Sequence, residues 1–212
     1  ALEEALAWDP FNVTEDADLG LRLMRYGFTV DVLDSATREE APQKVRVWLA
    51  QRRRWLKGWM ITWLVHSRRP RMLVREVGLR NAAVFQTHIL ANVGAPLCHP
   101  VGLTLIALHA TGLLPLPFGR SFATDVLFAA SVTGLALGYG VAIWMSRRLL
   151  IRRGKRDLAR SVWLMPAYWL LASLAAWHAL AELVIAPHRW AKTPHDAHDG
   201  DAENWDCGDD FR

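Results

Sequence analysis

The chain has 212 residues, a formal net charge of +4, 52% hydrophobic residues and eleven tryptophans. Its basic residues flank long apolar runs instead of forming a separate patch, which argues against nucleic acid and for an anionic membrane surface. Two cysteines, Cys98 and Cys207, exclude a disulfide framework and a zinc-ligand spacing. A mean hydropathy of only +0.08 excludes a bare membrane bundle, so a polar part shares the chain.

The opening Ala1-Leu2-Glu3-Glu4 has no basic, apolar-cored leader and reads as the interior of a larger protein. Residues 1–43 read as mixed α/β. Thr14 is placed to cap a helix through its hydroxyl, with Glu15 and Asp16 in the first turn, where the helix dipole favours negative charge. Leu19, Leu23 and Tyr26 repeat at helical spacing, and Gly27 supplies a stop. Phe28 to Val32 alternates as a half-buried strand does, and Ser35 to Pro42 reads as loop.

Residues 44–66 predict an amphipathic helix. Trp48, Trp55, Trp59 and Trp63 form one stripe, with Lys44, Arg46, Arg53 and Lys57 as positive charge around it, the pattern of a helix lying at the headgroups. A weaker helix of the same kind is expected at residues 73–83. Three apolar stretches follow. The first, Phe85 to Leu114, is interrupted by Pro96 and Pro100, so a span is expected at about residues 94–114, with residues 85–95 at the interface or in a re-entrant hairpin. Phe122 to Met145 and Val162 to Ala186 each exceed the roughly 20 residues that a bilayer core needs. Gly134, Gly138, Gly140 and Ser131 suggest close helix packing in the second span. Arg147, Arg148, Arg152, Arg153, Lys155, Arg156 and Arg160 lie after that span, against Arg120 alone before it. The positive-inside rule then places residues 147–160 and 1–80 in the cytoplasm, and parity sends the C-terminus outside. The polar, acidic tail beyond about residue 196 has the composition of disorder.

The fold class expected is therefore mainly α: the end of an α/β catalytic domain (1–43), interfacial amphipathic helices (44–84), a transmembrane region of about three helices (85–187) and a polar tail (188–212).

Two motifs could carry chemistry. An ionised carboxylate such as Asp16 can take a proton from an attacking hydroxyl, although Thr14-Glu15-Asp16 alone also suits a plain capped helix. Gln51, Arg54, Trp55 and Gly58 lie at i, i+3, i+4 and i+7 and share a helix face. Arg offers a planar fork for pyrophosphate oxygens, Trp a slab for a sugar ring, and Gln a donor and acceptor together; a lipid-binding helix would also use such residues. His88, His99, His109 and His178 in or near the spans read as buried polar contacts or channel lining, and Glu182 as a partner of His178. His195, Asp196, His198, Asp199 and Cys207 have irregular spacing for a metal and read as solvated tail.

Taken in order, Trp8 to Gly20, Glu39-Glu40-Ala41-Pro42, Gln51-Arg52-Arg53-Arg54-Trp55-Leu56-Lys57-Gly58 and Pro187 to His195, followed or flanked by spans, resemble the membrane-embedded family 2 glycosyltransferases, such as cellulose, hyaluronan and exopolysaccharide synthases. The resemblance covers about residues 1–195. It implies the C-terminal part of a GT-A-type enzyme at the inner membrane, performing inverting transfer from a nucleotide sugar, typically a UDP-sugar, to a polysaccharide or glycolipid. It implies Asp16 as general base, with Thr14 and Glu15 shaping the turn. Gln51 and Arg54 would contact the donor pyrophosphate or the acceptor end, and Trp55 would stack on the acceptor sugar. Further implied partners are membrane lipid and accessory export subunits; nucleic acid is not one. The family's metal-binding Asp-x-Asp, for Mg²⁺ or Mn²⁺, lies upstream of the Thr-Glu-Asp motif. Asp16-Ala17-Asp18 belongs to the helix start and is not that site, so no metal ligand is assigned here, and residues 1–212 alone are expected to be inactive. The alternative is a non-enzymatic membrane scaffold or transporter subunit with a lipid-binding basic helix.

Overall fold

A computed structural model describes residues 2, 3, 8, 14–31, 33, 35, 42–115, 119 and 121–187. Among them the chain is helical and has no strand: α1 (Glu15–Arg25), α2 (Val45–Ser67), α3 (Pro70–Ile89), α4 (Ala95–Ala110), α5 (Phe122–Arg152) and α6 (Met165–Ile185). A π-turn, Leu90–Gly94, joins α3 to α4, and a 3₁₀ segment, Leu158–Leu164, leads into α6.

Helix α1 ends as its sequence requires. Gly27 adopts φ +84°, Phe28 N–H donates to Leu23 O (3.0 Å) and Gly27 N–H to Met24 O (3.1 Å), the paired bonds of a Schellman stop. The strand expected after it does not form: residues 28–31 are irregular. Residues 28–31 meet no partner strand among the described residues, and an unpaired strand leaves its backbone groups unsatisfied; Val32 lies outside the described residues.

Among the described residues three elements are long and apolar enough to cross a membrane: Pro70–Ala110, Phe122–Arg152 and Leu158–Ile185. The first departs from expectation. Gly78, at φ +81° and ψ 158°, breaks α3, and from residue 79 the backbone stays helical to Ala110 without a re-entrant turn. The π-turn, closed by Ala95 N–H to Leu90 O, accommodates the missing donor of Pro96. Beside it the indole of Trp177 on α6 donates to Leu97 O (3.2 Å), so a neighbouring helix serves the backbone near the prolines.

The core runs along α2, α3 and α6. Ala175, Ala176 and Ala179 are 1%, 0% and 0% exposed, and these small side chains let α2 lie close along α6. Leu56 and Met60 of α2 and Leu73, Phe85 and Ile89 of α3 complete the apolar cluster. The close packing expected from the glycines of α5 is absent: α5 buries no residue, and a Cβ built at Gly134, Gly138 or Gly140 meets nothing within 4 Å.

The tryptophan stripe of α2 is spent largely between helices. Trp48 meets Tyr168 of α6 edge-on (centroids 5.2 Å apart), Trp59 meets His88 of α3 (4.9 Å), and the Trp63 indole donates to Gln86 Oε1 (2.8 Å). Lys57 is not a surface charge either. Its side chain is 3% exposed, and it donates to Glu182 Oε1 (3.1 Å) and to Ala186 O (2.9 Å), just past the end of α6. Arg53 Nε pairs with Glu182 Oε2 (3.1 Å). Glu182 is thus held by α2, not by His178 as its helical spacing suggested. With Trp48 against the start of α6 and Lys57 against its end, α2 lies along the length of α6.

Candidate functional site

The Thr-Glu-Asp turn is seated directly on the Gln51–Gly58 helix. Thr14 is buried at the N-cap of α1, but its hydroxyl makes no capping bond to that helix. Its side chain lies instead against Gly58: a Cβ placed there would fall 2.6 Å from Thr14 Cγ2 and 2.7 Å from Oγ1. Only glycine leaves that space. Gly58 is one turn beyond Arg54 and shares the face of Gln51 and Arg54, so this contact sets the acidic turn beside that face.

Thr14 and Asp18, four residues apart, both face inward. Asp16 lies between them on the far side of the first turn and is exposed, its Oδ1 accepting only the N–H of Ala17 (2.8 Å) among the described hydrogen bonds. Glu15 is half-buried at the helix start. Gln51, Arg54 and Trp55 are all half-buried on α2. The Arg52 guanidinium stands over the rings of Trp48 (5.5 Å) and Trp55 (4.9 Å), so one face of Trp55 already carries a cation. The Nε atoms of Arg52 and Arg54 are buried with no hydrogen-bond partner among the described residues. A buried N–H left unpaired is costly, and a guanidinium N–H of this kind favours an anionic acceptor.

Sequence reasoning passed over the residues that anchor the turn. Asp18, 4% exposed, accepts at Oδ1 from His66 Nε2 (2.8 Å) and at Oδ2 from Arg22 Nε (2.7 Å). Burial alone would raise its pKa; the hydrogen bonds from His66 and Arg22 and the Arg22 charge outweigh that and hold the carboxyl below its usual range. With both oxygens committed, Asp18 is not free to ligate a metal beside Asp16, and the described residues contain no group of three or more His, Cys, Asp or Glu arranged to hold one. The available signal was a histidine closing the apolar run Trp63-Leu64-Val65, where a buried ring needs partners.

The spans hold a separate cavity of about 620 Å³ between α4, α5 and α6, lined by His99, His109, Phe128, Gly134, Gly138 and Trp169 among others. None of Thr14, Glu15, Asp16, Gln51, Arg54 or Trp55 reaches it. His99 Nε2 meets Tyr139 Oη (2.5 Å) and its Nδ1 meets Ser173 Oγ (3.3 Å), which ties the three helices together. His109 lies near Leu114 O (3.4 Å), and His88 packs at a tilt against Trp59. His178 is exposed. The tail residues His195, Asp196, His198, Asp199 and Cys207, like the segments Glu39 to Ala41 and His188 to His195, lie outside the described residues.

The family described as Glycosyl transferase family group 2 matches residues 1–184. The chain belongs to that family, and its role is glycosyl transfer from a nucleotide-sugar donor to an acceptor. Searches of curated proteins and of solved structures returned no match.

Proposed function

We propose that these residues form the acceptor side of an inverting hexosyltransferase at the inner membrane, working on the cytoplasmic face. The division into a catalytic-domain end (1–43), interfacial helices (44–84), membrane region (85–187) and tail (188–212) belongs to the same reading. The observation that carries it is the seat of Thr14 on Gly58, which holds the acidic turn against the helix of Gln51, Arg54 and Trp55.

In this mechanism the acceptor hydroxyl oxygen attacks the anomeric carbon of the donor sugar. Its proton passes to the Asp16 carboxylate as the new glycosidic bond forms. The bond from that carbon to the pyrophosphate oxygen breaks on the opposite face, so the configuration inverts and the nucleoside diphosphate leaves with the electron pair. Arg54, with its unpaired Nε, and Gln51 meet the departing negative charge or the acceptor end, and a preorganised cation there is worth most at the transition state. Trp55 stacks the acceptor sugar on the ring face not covered by Arg52. Glu15 and Thr14 shape the turn that presents Asp16. A divalent ion, Mg²⁺ or Mn²⁺, would offset diphosphate charge from an Asp-x-Asp outside residues 1–212; the described residues do not fit it. The acceptor is a growing polysaccharide or a glycolipid, the donor a UDP-sugar, and the polymer leaves past the spans with accessory export subunits. The scaffold alternative assigns no role to an acidic turn seated on an arginine–tryptophan face.

The test is Asp16→Asn in the full-length protein. Sugar incorporation into polymer or glycolipid is abolished while the protein still inserts into membranes; wild-type product from the variant removes Asp16 from the mechanism.

A further inference from the structure

Helix α1 has only 11 residues, yet it must aim Asp16 at a reacting hydroxyl. Its apolar anchors are few: Leu19 and Leu21 are its buried hydrophobic side chains. The remaining fixation is polar. Arg25 donates through Nη1 to His66 Nδ1 (2.9 Å) and through Nε to Glu76 Oε2 (2.5 Å). Arginine has no acceptor, so Nδ1 of His66 must be the unprotonated nitrogen and Nε2 must carry the hydrogen given to Asp18. The chain Arg22–Asp18–His66–Arg25–Glu76 therefore has a single direction, uses both ring nitrogens and both Asp18 oxygens, and joins α1 to α2 and α3.

We infer that Asp18 and His66 are positioning residues for Asp16, fixing the rotation and register of α1 at a second point beyond the Thr14–Gly58 contact. A one-residue slip would turn α1 by about 100° and shift it by about 1.5 Å, which breaks every bond in the chain. With Thr14 held at Gly58 and Asp18 held at His66, Asp16 has no freedom to rotate out of the face it presents. His66 thus acts on transfer from a helix three turns past Arg54, without touching substrate. This inference rests on the assignment of Asp16 as the base.

The experiment uses the full-length enzyme in its own membranes, with the labelled UDP-sugar that the wild type incorporates from a panel including UDP-glucose and UDP-N-acetylglucosamine. Rates are normalised to inserted protein. Two polarity-matched variants decide it. His66→Gln reaches both partners, with an amide N–H for Asp18 and a carbonyl for Arg25; His66→Asn is too short to reach both. The Asn variant loses about ten- to a hundredfold in kcat, the scale of an ångström-size misplacement, with donor KM unchanged, and the Gln variant regains most of it. Amide exchange in α1 of the same proteins accelerates for Asn and not for Gln, a readout that needs no turnover. Equal kcat and equal α1 exchange for the two variants overturn the positioning role while an inactive Asp16→Asn leaves the base assignment standing. A fully active Asp16→Asn removes the base assignment itself, whatever the His66 variants do.

Discussion

Replacing Gly58 by alanine tests the seat of the acidic turn at its tightest point. The added methyl would lie 2.6 Å from Thr14 Cγ2, 2.7 Å from Oγ1 and 3.0 Å from Cβ, so something must move. Overpacking of this kind costs about 1–3 kcal/mol. Alanine in a helix interior returns about 1 kcal/mol relative to glycine. The middle of those ranges leaves a net cost of about 1 kcal/mol, close to a fivefold rise in the opening of α1 from α2. Hydrogen exchange resolves this directly, since the amide of Asp18 closes the first turn on Thr14 O (3.1 Å) and exchanges when α1 undocks. Gly58→Ala should speed exchange across α1 by about fivefold and leave α5 unchanged. Adding Thr14→Ala removes the two closest atoms and should recover most of the loss, a favourable coupling of about 1 kcal/mol in the double-mutant cycle. Slower exchange in Gly58→Ala, as helix propensity alone dictates, or no relief from Thr14→Ala, would refute the steric argument.

Lys57→Met strands part of Glu182 and uncaps the end of α6. Breaking a buried pair costs about 3–5 kcal/mol, and because Glu182 keeps Arg53 the low end applies, read as thermal unfolding in detergent; the double change with Glu182→Leu should regain much of it, and a Lys57→Met protein as stable as wild type would contradict the buried pairing. Asp18 has a folded-state pKa below its unfolded value, so its contribution is complete above the ordinary carboxylate pKa and is lost as pH falls through the depressed value. Docking of α1, followed by exchange or proteolysis, should hold from neutrality down through the ordinary carboxylate range and fail only in stronger acid; loss between pH 7 and 5 would count against it.

What the sequence made legible was local or periodic. The Gly27 stop, a helix over α2 and the last two span-length apolar helices follow from spacing, capping and apolar length, and the structure has all of them, although the tryptophan stripe of α2 packs between helices. Pro96 and Pro100 look like breaks, whereas the backbone stays helical through them after a π-turn at Leu90–Gly94 and leaves the helical region at Gly78. The expected strand is absent from residues 28–31 because alternation states a preference and pairing needs a partner. The site was legible as two motifs and not as an arrangement. Gly58 was placed on the right face with no reason for being glycine; the reason is a threonine 44 positions away in sequence. Asp18 bonds His66 across 48 residues and Lys57 bonds Glu182 across 125, and no periodicity within one helix encodes such pairs. In each case the hint was a polar residue on an apolar face, which requires a partner without naming it.

The central claim is that the turn carrying Asp16 rests on the helix of Gln51, Arg54 and Trp55. Cysteines at Thr14 and Gly58, in full-length protein with Cys98 and Cys207 replaced by serine, test it most directly. The 3.0 Å spacing between Thr14 Cβ and a Cβ built at Gly58 is slightly inside the disulfide range of about 3.5–4.5 Å, so a small shift of the turn suffices. The account predicts rapid cross-linking in native membranes under mild oxidation, between residues 14 and 58 and not between 14 and a cysteine at Arg46. No 14–58 cross-link, or equal cross-linking of both pairs, would contradict it.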